Sequence, residues 1–193
     1  SSTLTIEDSV TVHAASSTRI EALIFAASAA LSGSGGTGVG AALGASVALN
    51  KLGETSPFAI QAFLRNSGLT AKGALAVTSS STQTIDATVL AFSAAVTASG
   101  GTGVGLGGSG TFATNDIRAN VSAYIDGAGS GISASSITVR ATDQSKIDAL
   151  AGAASLSVAL SGGTGATISL AGALASNTID TSVSAGIMNA GAG

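Results

Sequence analysis

The sequence contains no cysteine and no tryptophan, and proline, histidine, methionine and tyrosine occur once each among its 193 residues. Without cysteine, the chain cannot form disulfides, thiolate metal sites or a cysteine nucleophile, which also fits a long secreted polypeptide that avoids disulfide scrambling during export. His13 is the single histidine, and no serine has a recognisable base partner, so nucleophilic catalysis has no support. The sequence therefore predicts a protein that is not an enzyme.

Charge is also scarce. Charged residues make up 9% of the chain, where globular proteins have about 25%. The net charge of −3 provides no basic patch for a phosphate backbone, which argues against nucleic-acid binding. So few charges cannot cover a water-facing surface, and we expect neighbouring copies or repeats to cover much of it.

Long uncharged stretches raise the question of a membrane. No charged residue lies between Asp148 and Asp180, and a helix needs only about 20 apolar residues to cross a bilayer. Central glycines divide each stretch, no Lys or Arg marks its ends, and one tyrosine cannot make an interfacial aromatic belt. The pattern argues against membrane insertion.

What the sequence does contain is one unit repeated three times. Gly-Gly-Thr-Gly begins at Gly35, Gly100 and Gly162, with spacings of 100 − 35 = 65 and 162 − 100 = 62. The same spacings separate three Ile-acid-Ala elements and three asparagines. Their positions are Ile20-Glu21-Ala22, Ile85-Asp86-Ala87 and Ile147-Asp148-Ala149, and Asn50, Asn115 and Asn177. We divide the chain into repeats 1–68, 69–131 and 132–193, which form one continuous array.

Side-chain size alternates with a period of two on both sides of each Gly-Gly-Thr-Gly. Val39, Leu43 and Val47 alternate with Gly, Ala and Ser in the first repeat, and Ile168 and Leu170 do so in the third. Alternation of this kind is typical of a strand with one bulky and one small face. Neither face carries charge, so both should be covered. Alanine-rich segments leave a helix as the alternative, but scattered Thr, Val, Ser and Gly and the lack of caps favour strands.

Three kinds of connection are predicted between the strands. Glycines provide tight turns, at Gly35, Gly36, Gly38, Gly100, Gly101, Gly103, Gly162, Gly163 and Gly165. Polar corners such as Thr142-Asp143-Gln144-Ser145 indicate further turns. Four extra residues in the first repeat, which include Gly53, Glu54 and Pro57, indicate an outer loop.

Two sets of equivalent side chains are candidate sites. Stacked parallel repeats would align Asn50, Asn115 and Asn177 so that their amides form a hydrogen-bonded ladder. Glu21, Asp86 and Asp148 would form an exposed acidic row, which is either a weak calcium site or a solvated edge balanced by Arg19 and Lys146. Of these two interpretations we favour the solvated edge over the calcium site, and we therefore expect no cofactor.

One further motif has the form of a dinucleotide loop. Residues 33–38 fit G-x-G-x-x-G, but the position of Gly33 is occupied by Ala98 and Leu160 in the other repeats. In a chain with 27 glycines the match is better explained by tight chain reversals.

The succession SITVRATDQSKIDALAGAASLSVAL, GGTG and NTIDTSVSAGI resembles the repeats of very large bacterial surface proteins, the filamentous-haemagglutinin-like adhesins and related giant exported proteins. The resemblance covers essentially the whole chain. It implies a parallel β-solenoid, secretion by a bacterium, and a role in adhesion or extracellular matrix at the cell surface.

The sequence thus predicts an all-β fold, a repetitive parallel β-solenoid, with stacked long β-hairpins as the alternative. The predicted function is a structural segment of an extracellular fibre, stalk or adhesin that assembles with itself. A module of a surface adhesin that binds a receptor or glycan on a host or cell surface is the alternative. The last residues look like the interior of the array, so we expect a segment of a longer protein. Residues 1–12 of one copy should then continue the stack beyond residues 187–193 of the next.

Overall fold

The protein is an all-β array of long parallel strands. A computed structural model describes residues 2–127 and 131–189, and the description below concerns these residues. The strands are β1 (Ser2–Ile6), β2 (Val10–Ser34), β3 (Gly38–Leu52), β4 (Phe58–Arg65), β5 (Ser67–Ala71), β6 (Leu75–Ser99), β7 (Gly103–Asp126), β8 (Ile132–Ser133), β9 (Ile137–Asp143), β10 (Lys146–Ser161) and β11 (Gly165–Met188). No helix in this part of the chain could cross a membrane.

Each repeat forms one rung of a stack. Val10 pairs with Leu75, Asn50 with Asn115, and Asn115 with Asn177, so the sequence period is also the pairing register. Every strand pair in the described part of the chain is parallel. The prediction of an all-β, solenoid-like parallel fold is confirmed. The hairpin alternative is wrong, because the strands that flank each Gly-Gly-Thr-Gly turn belong to different sheets.

The stack has two long sides and one short side. The first long sheet contains β2, β6, β9 and β10, the second contains β3, β4, β7 and β11, and the base sheet contains β1, β5 and β8. In the middle rung the chain runs from β5 along the 25 residues of β6, turns at the tip, and returns along β7. At about 3.3 Å per residue, a 25-residue strand is roughly 80 Å long. The result is a flat, wide blade with the Gly-Gly-Thr-Gly turns at its tip.

The core between the two long sheets becomes thinner toward the tip. Near the base it contains fully buried Leu75, Val77, Ile117, Val121 and Ile125. Closer to the tip its inward positions are small residues, at Ala91, Ser93, Ala95, Gly105 and Gly107.

Glycine is required in this thin part of the core because the backbones approach closely. A Cβ built on Gly44 would lie 2.5 Å from the backbone oxygen of Phe92, and one on Gly107 would lie 3.0 Å from that of Leu156. Only small side chains fit between the sheets here, so the small face of each strand points inward and the bulky face outward.

The predicted polar corners are wrong for the first two repeats. Both β2 and β6 continue through their Ser/Thr/Gln segments, and only the third repeat is interrupted, between β9 and β10. Ser79, Ser81 and Gln83 instead point inward and are buried, and Gln83 Nε2 donates to Ser16 Oγ and Ser81 Oγ at 3.3 and 3.4 Å. The Gln83 amide group thus pairs with two serines in the core, whereas Ser79 Oγ and Gln83 Oε1 are buried without a partner among the described residues. Parallel neighbours maintain the backbone ladder.

The insertion of the first repeat forms an exposed loop between β3 and β4, as expected. It spans residues 53–57, and Gly53 has φ +79°, a left-handed conformation that favours glycine. The other two repeats lack these residues, and their strands β7 and β11 are continuous over the same region. The loop therefore interrupts one edge strand without disturbing the register of the stack.

Candidate functional surfaces

The three asparagines form a column inside the blade. Asn50 Nδ2 donates to Asn115 Oδ1 at 2.8 Å, and Asn115 Nδ2 donates to Asn177 Oδ1 at 2.7 Å. Asn115 is fully buried, and it has both a donor and an acceptor partner in the column. The asparagine side chains at equivalent positions of the three repeats are thus in direct contact. A ladder of this kind specifies register, because a shifted rung would bury unpaired amides.

The acidic row lies on the outer surface of the first long sheet, with cations between the carboxylates. Arg19 contacts Glu21 at 2.6 Å and Asp86 at 2.7 Å, and Lys146 contacts Asp148 at 2.6 Å. The hydrogen bond and charge of Asp148 raise the pKa of the Lys146 ammonium. Glu21 and Asp148 are exposed and Asp86 is partly covered. Within residues 2–127 and 131–189, no group of three His, Cys, Asp or Glu side chains is placed to hold a metal ion.

We expect calcium to have little effect on stability, because the carboxylates of this row are held by Arg19 and Lys146. The melting temperature in millimolar calcium should differ from that in excess chelator by less than about 2 °C, or about 0.5 kcal/mol for a domain of this size. Magnesium at equal ionic strength is the control for screening. A drop of many degrees on chelation would instead reveal a metal site that the row helps to build.

The tip turns stack on one another through their backbones. Gly100 N donates to Ser34 O at 3.0 Å and Gly101 N to Gly36 O at 2.9 Å, and Gly162 N and Gly163 N donate in the same way to the middle rung. A Cβ on Gly100 would lie 2.5 Å from Gly35 O. Within the G-x-G-x-x-G motif of residues 33–38, Ser34 O and Gly36 O accept these hydrogen bonds, and Gly38 N donates to Thr102 O at 2.9 Å. The motif therefore lies in a stacking turn.

Both outer faces near the tip are apolar and exposed. On the first long sheet Leu31 is 84% exposed, and on the second Leu43 and Leu170 are 81% and 73% exposed. Phe25 and Phe92 form a tilted pair on the first sheet, with ring centroids 5.3 Å apart. The small face is therefore buried in the middle rung, whereas the bulky face is exposed on all three rungs.

Sequence reasoning missed an aromatic cluster near the base. Phe63 and Tyr124 stack with centroids 5.2 Å apart, the Arg65 guanidinium lies 5.6 Å from the Tyr124 centroid, and Arg65 also contacts Asp126 at 3.4 Å. Aligning the repeats across the insertion would have found the pair, because Phe63 occupies the position of Tyr124. The rings stack along the array, so they tie two rungs together at the surface.

The remaining sequence candidates lie apart from these clusters. His13 is exposed on β2, where its Nδ1 lies 2.8 Å from Thr78 Oγ1. Lys51 and Glu54 form an ion pair at the start of the outer loop. Comparison of the chain with protein-family models, with curated proteins and with solved structures gives no match.

Proposed function

We propose that this chain is a structural segment of an extracellular bacterial fibre, stalk or adhesin, located at or beyond the cell surface, which assembles by stacking β-rungs. The proposal assigns it no catalytic activity and no cofactor. The partner at each end of the stack is another rung of the same kind, from the same long chain or from a second copy. The bacterial and extracellular parts of the proposal rest on composition and on the resemblance to adhesin repeats.

The observation that carries the proposal is the contrast between equivalent side chains in the middle and third rungs. Ile117, Val121 and Ile125 are at most 2% exposed in the middle rung. Their pairing partners in β11 are 47–50% exposed, at Ile179, Val183 and Ile187. These side chains have the same position in the cross-section and differ only in having one neighbouring rung instead of two. A further rung would bury them.

The backbone and the asparagine column support the same conclusion. Among the described residues, strands β2, β3 and β4 pair on one side only, and so do β9, β10 and β11. Open parallel edges of this length are templates for another strand. Within the described ranges, Asn177 Nδ2 and Asn50 Oδ1 have no partner, so an added rung would extend the column in either direction. Of the termini that the sequence expected to meet, residues 1 and 190–193 lie outside the described residues.

A lysine on the inward face of the end rung should block this stacking. Ala173 points inward on β11 and is exposed, so Ala173→Lys leaves the ammonium hydrated in a single copy but buries it beneath an added rung. In sedimentation velocity, we expect the unmodified chain to form large, concentration-dependent species and the variant to form much smaller ones, because its end-to-end stacking is lost.

Ser56→Lys is the matched control, because it adds the same charge in the exposed loop, and it should associate as the unmodified chain does. Circular dichroism must show equal strand content in all three proteins. An unmodified chain that stays monomeric at the highest concentration reached would refute the proposal.

A receptor- or glycan-binding module is the second candidate, and the loop at residues 53–57 favours it. This loop is exposed, carries the Lys51–Glu54 ion pair at its start, and interrupts an edge strand where the other repeats are continuous. A variant that shortens the loop by four residues, to the spacing of the other repeats, tests the two candidates separately. Binding to cells or immobilised glycans that is lost in this variant, with assembly unchanged, would support the module.

A further inference from the structure

The outer faces near the tip are two separate apolar surfaces on opposite sides of the blade. The first outer face consists of the outward residues of β2, β6 and β10 between the acidic row and the tip. The second consists of the outward residues of β3, β7 and β11 at the same height. Their large exposed members include Leu23, Leu31 and Phe92 on the first face, and Leu43, Leu49 and Leu170 on the second.

Each face reaches the upper end of the size range of apolar patches on monomeric proteins. Six outward positions along each strand and three rungs cover about 40 Å by 14 Å, or roughly 600 Å². Monomeric proteins seldom expose a larger contiguous apolar patch than this. Two such faces in contact would bury about 1,200 Å², the lower limit for a stable protein interface, and every added rung extends the area.

The shapes of the two faces are complementary at equal distance from the tip. The second face has a shallow pit of about 340 Å³, with Ala45, Gly108 and Gly110 at its floor between Leu43 and Leu170. Gly110 is seven residues from the tip end of its strand (110 − 103 = 7), and Phe92 of the first face is also seven (99 − 92 = 7). A protruding ring therefore lies at the height of the pit.

Charges at the lower border of the faces also correspond. Glu21 lies 34 − 21 = 13 residues from the tip end of β2, and Lys51 lies 51 − 38 = 13 residues from that of β3. Lys146 and Asp180 are both 15 residues from the tip (161 − 146 and 180 − 165). Asp86 and Asp116 also share a height, and each contacts an arginine of its own chain, at 2.7 and 2.9 Å. Glu21, Lys51 and Lys146 likewise each contact an ion-pair partner within the chain.

We propose that the first outer face of one copy packs on the second outer face of a second copy, with tips aligned and rungs at the same level. A translation along the sheet normal produces this contact, which brings Phe92 to the pit of the partner and Glu21 to its Lys51. Because the two faces differ, the contact is heterologous and open-ended, and blades would associate side by side into a layer. It uses surfaces that end-to-end stacking leaves free, so it goes beyond the proposed function.

A lipid surface would be the other way to cover apolar faces, but the structure favours a protein partner. Parallel strands at both ends of the stack have unpaired backbone groups along their whole length, and such edges are costly in lipid. A second copy instead provides a face of matching relief and charge.

Cysteine substitutions can test the contact because the chain has no cysteine of its own. Ala27 on the first face and Ala45 on the second are exposed and both lie seven residues from the tip (34 − 27 and 45 − 38). We would mix Ala27→Cys and Ala45→Cys proteins, both in the Ala173→Lys background, and add a bismaleimide that spans the ~10 Å between packed sheets. The lysine at the end rung removes end-to-end stacking, so failure of that proposal leaves this test intact.

We expect a covalent dimer from the mixture and none from either protein alone. Adding Ala94→Lys to the Ala27→Cys protein should reduce the dimer about tenfold or more, because it places a charge on the first outer face. Crosslinking of either protein with itself would mean that a face pairs with its own kind and would overturn the heterologous contact. The absence of any crosslink, with or without flotation of the protein on phosphatidylcholine vesicles, would overturn lateral packing altogether.

Discussion

Replacing Ala95 with lysine is expected to abolish folding. Ala95 is fully buried in the thin core of the middle rung, where it pairs with Ala30 on one side and Ser157 on the other. An ammonium placed there cannot reach water past two neighbouring rungs, and burying it costs several kcal/mol. That is comparable with the whole stability of a typical domain, about 5–15 kcal/mol. Circular dichroism and urea unfolding should show no cooperative transition.

The adjacent residue provides the matched control. Ala94 is outward on the same strand, so Ala94→Lys adds the same side chain to the solvent side of the sheet. We expect its free energy of unfolding to change by less than about 0.5 kcal/mol, as for most surface substitutions. Equal losses of stability in the two variants would contradict the assignment of inward and outward faces.

Replacing Asn115 with aspartate is expected to cost about 3 kcal/mol or more at neutral pH. The substitution removes the amide that donates to Asn177 and places a carboxylate at a fully buried position. Burial should raise the pKa of the new carboxyl above the ordinary ~3.9 of aspartic acid. The loss of stability is then smallest below pH ~3.9. It increases as the pH rises above this value, because the carboxyl ionises in the unfolded chain before it ionises in the folded one. Urea titrations at several pH values would measure it.

Asn177→Asp is the control for the asparagine column. Asn177 lies in the exposed end rung and accepts a hydrogen bond from Asn115 through Oδ1, and aspartate retains that acceptor. Its unfolding free energy should change by less than about 0.5 kcal/mol. If both substitutions were equally harmful, or both harmless, the column would not contribute to the register of the stack.

The pairing register of the stack could be predicted from the sequence, but which face of each strand points into the core could not. Equal spacing of Gly35, Gly100 and Gly162 predicts alignment of equal residues in parallel rungs, and the observed register follows it. The alternation of large and small side chains was also visible. Ordinary experience places large apolar residues inside, whereas here the turn between Ser34 and Gly38 has only three residues and holds the two sheets close together. Only the small face then fits between them.

The prediction of turns at the polar corners of the first two repeats was wrong for a related reason. A cluster of Ser, Thr and Gln usually indicates a turn, yet the neighbouring rungs keep β2 and β6 extended and pair Gln83 with Ser81 and Ser16 inside the core. The parallel ladder to the neighbouring rungs overcomes local preference there, on both sides of β6 and on one side of β2. In the third repeat, which also has one neighbouring rung, the strand breaks between β9 and β10.

The candidate surfaces were predictable only in part. Repetition pointed to the acidic row, since the acids recur in all three repeats, and to its cations Arg19 and Lys146, which share a register position that Thr84 occupies in the middle repeat. The stacking of Phe63 on Tyr124 was hidden, because the insertion changes the spacing of this pair to 124 − 63 = 61 residues. The correspondence between the two outer faces depends on how far each residue lies from the tip, and this distance is known only once the position of the tip turn is known.

Fibre diffraction from aligned assemblies of the chain tests the central claim of rung stacking most directly. If copies add rung upon rung, the strands lie perpendicular to the long axis, and a strong reflection at about 4.8 Å should appear along that axis. The Ala173→Lys protein should lack this axial reflection. A well-ordered pattern from fibres that lacks the 4.8 Å axial reflection would contradict the account.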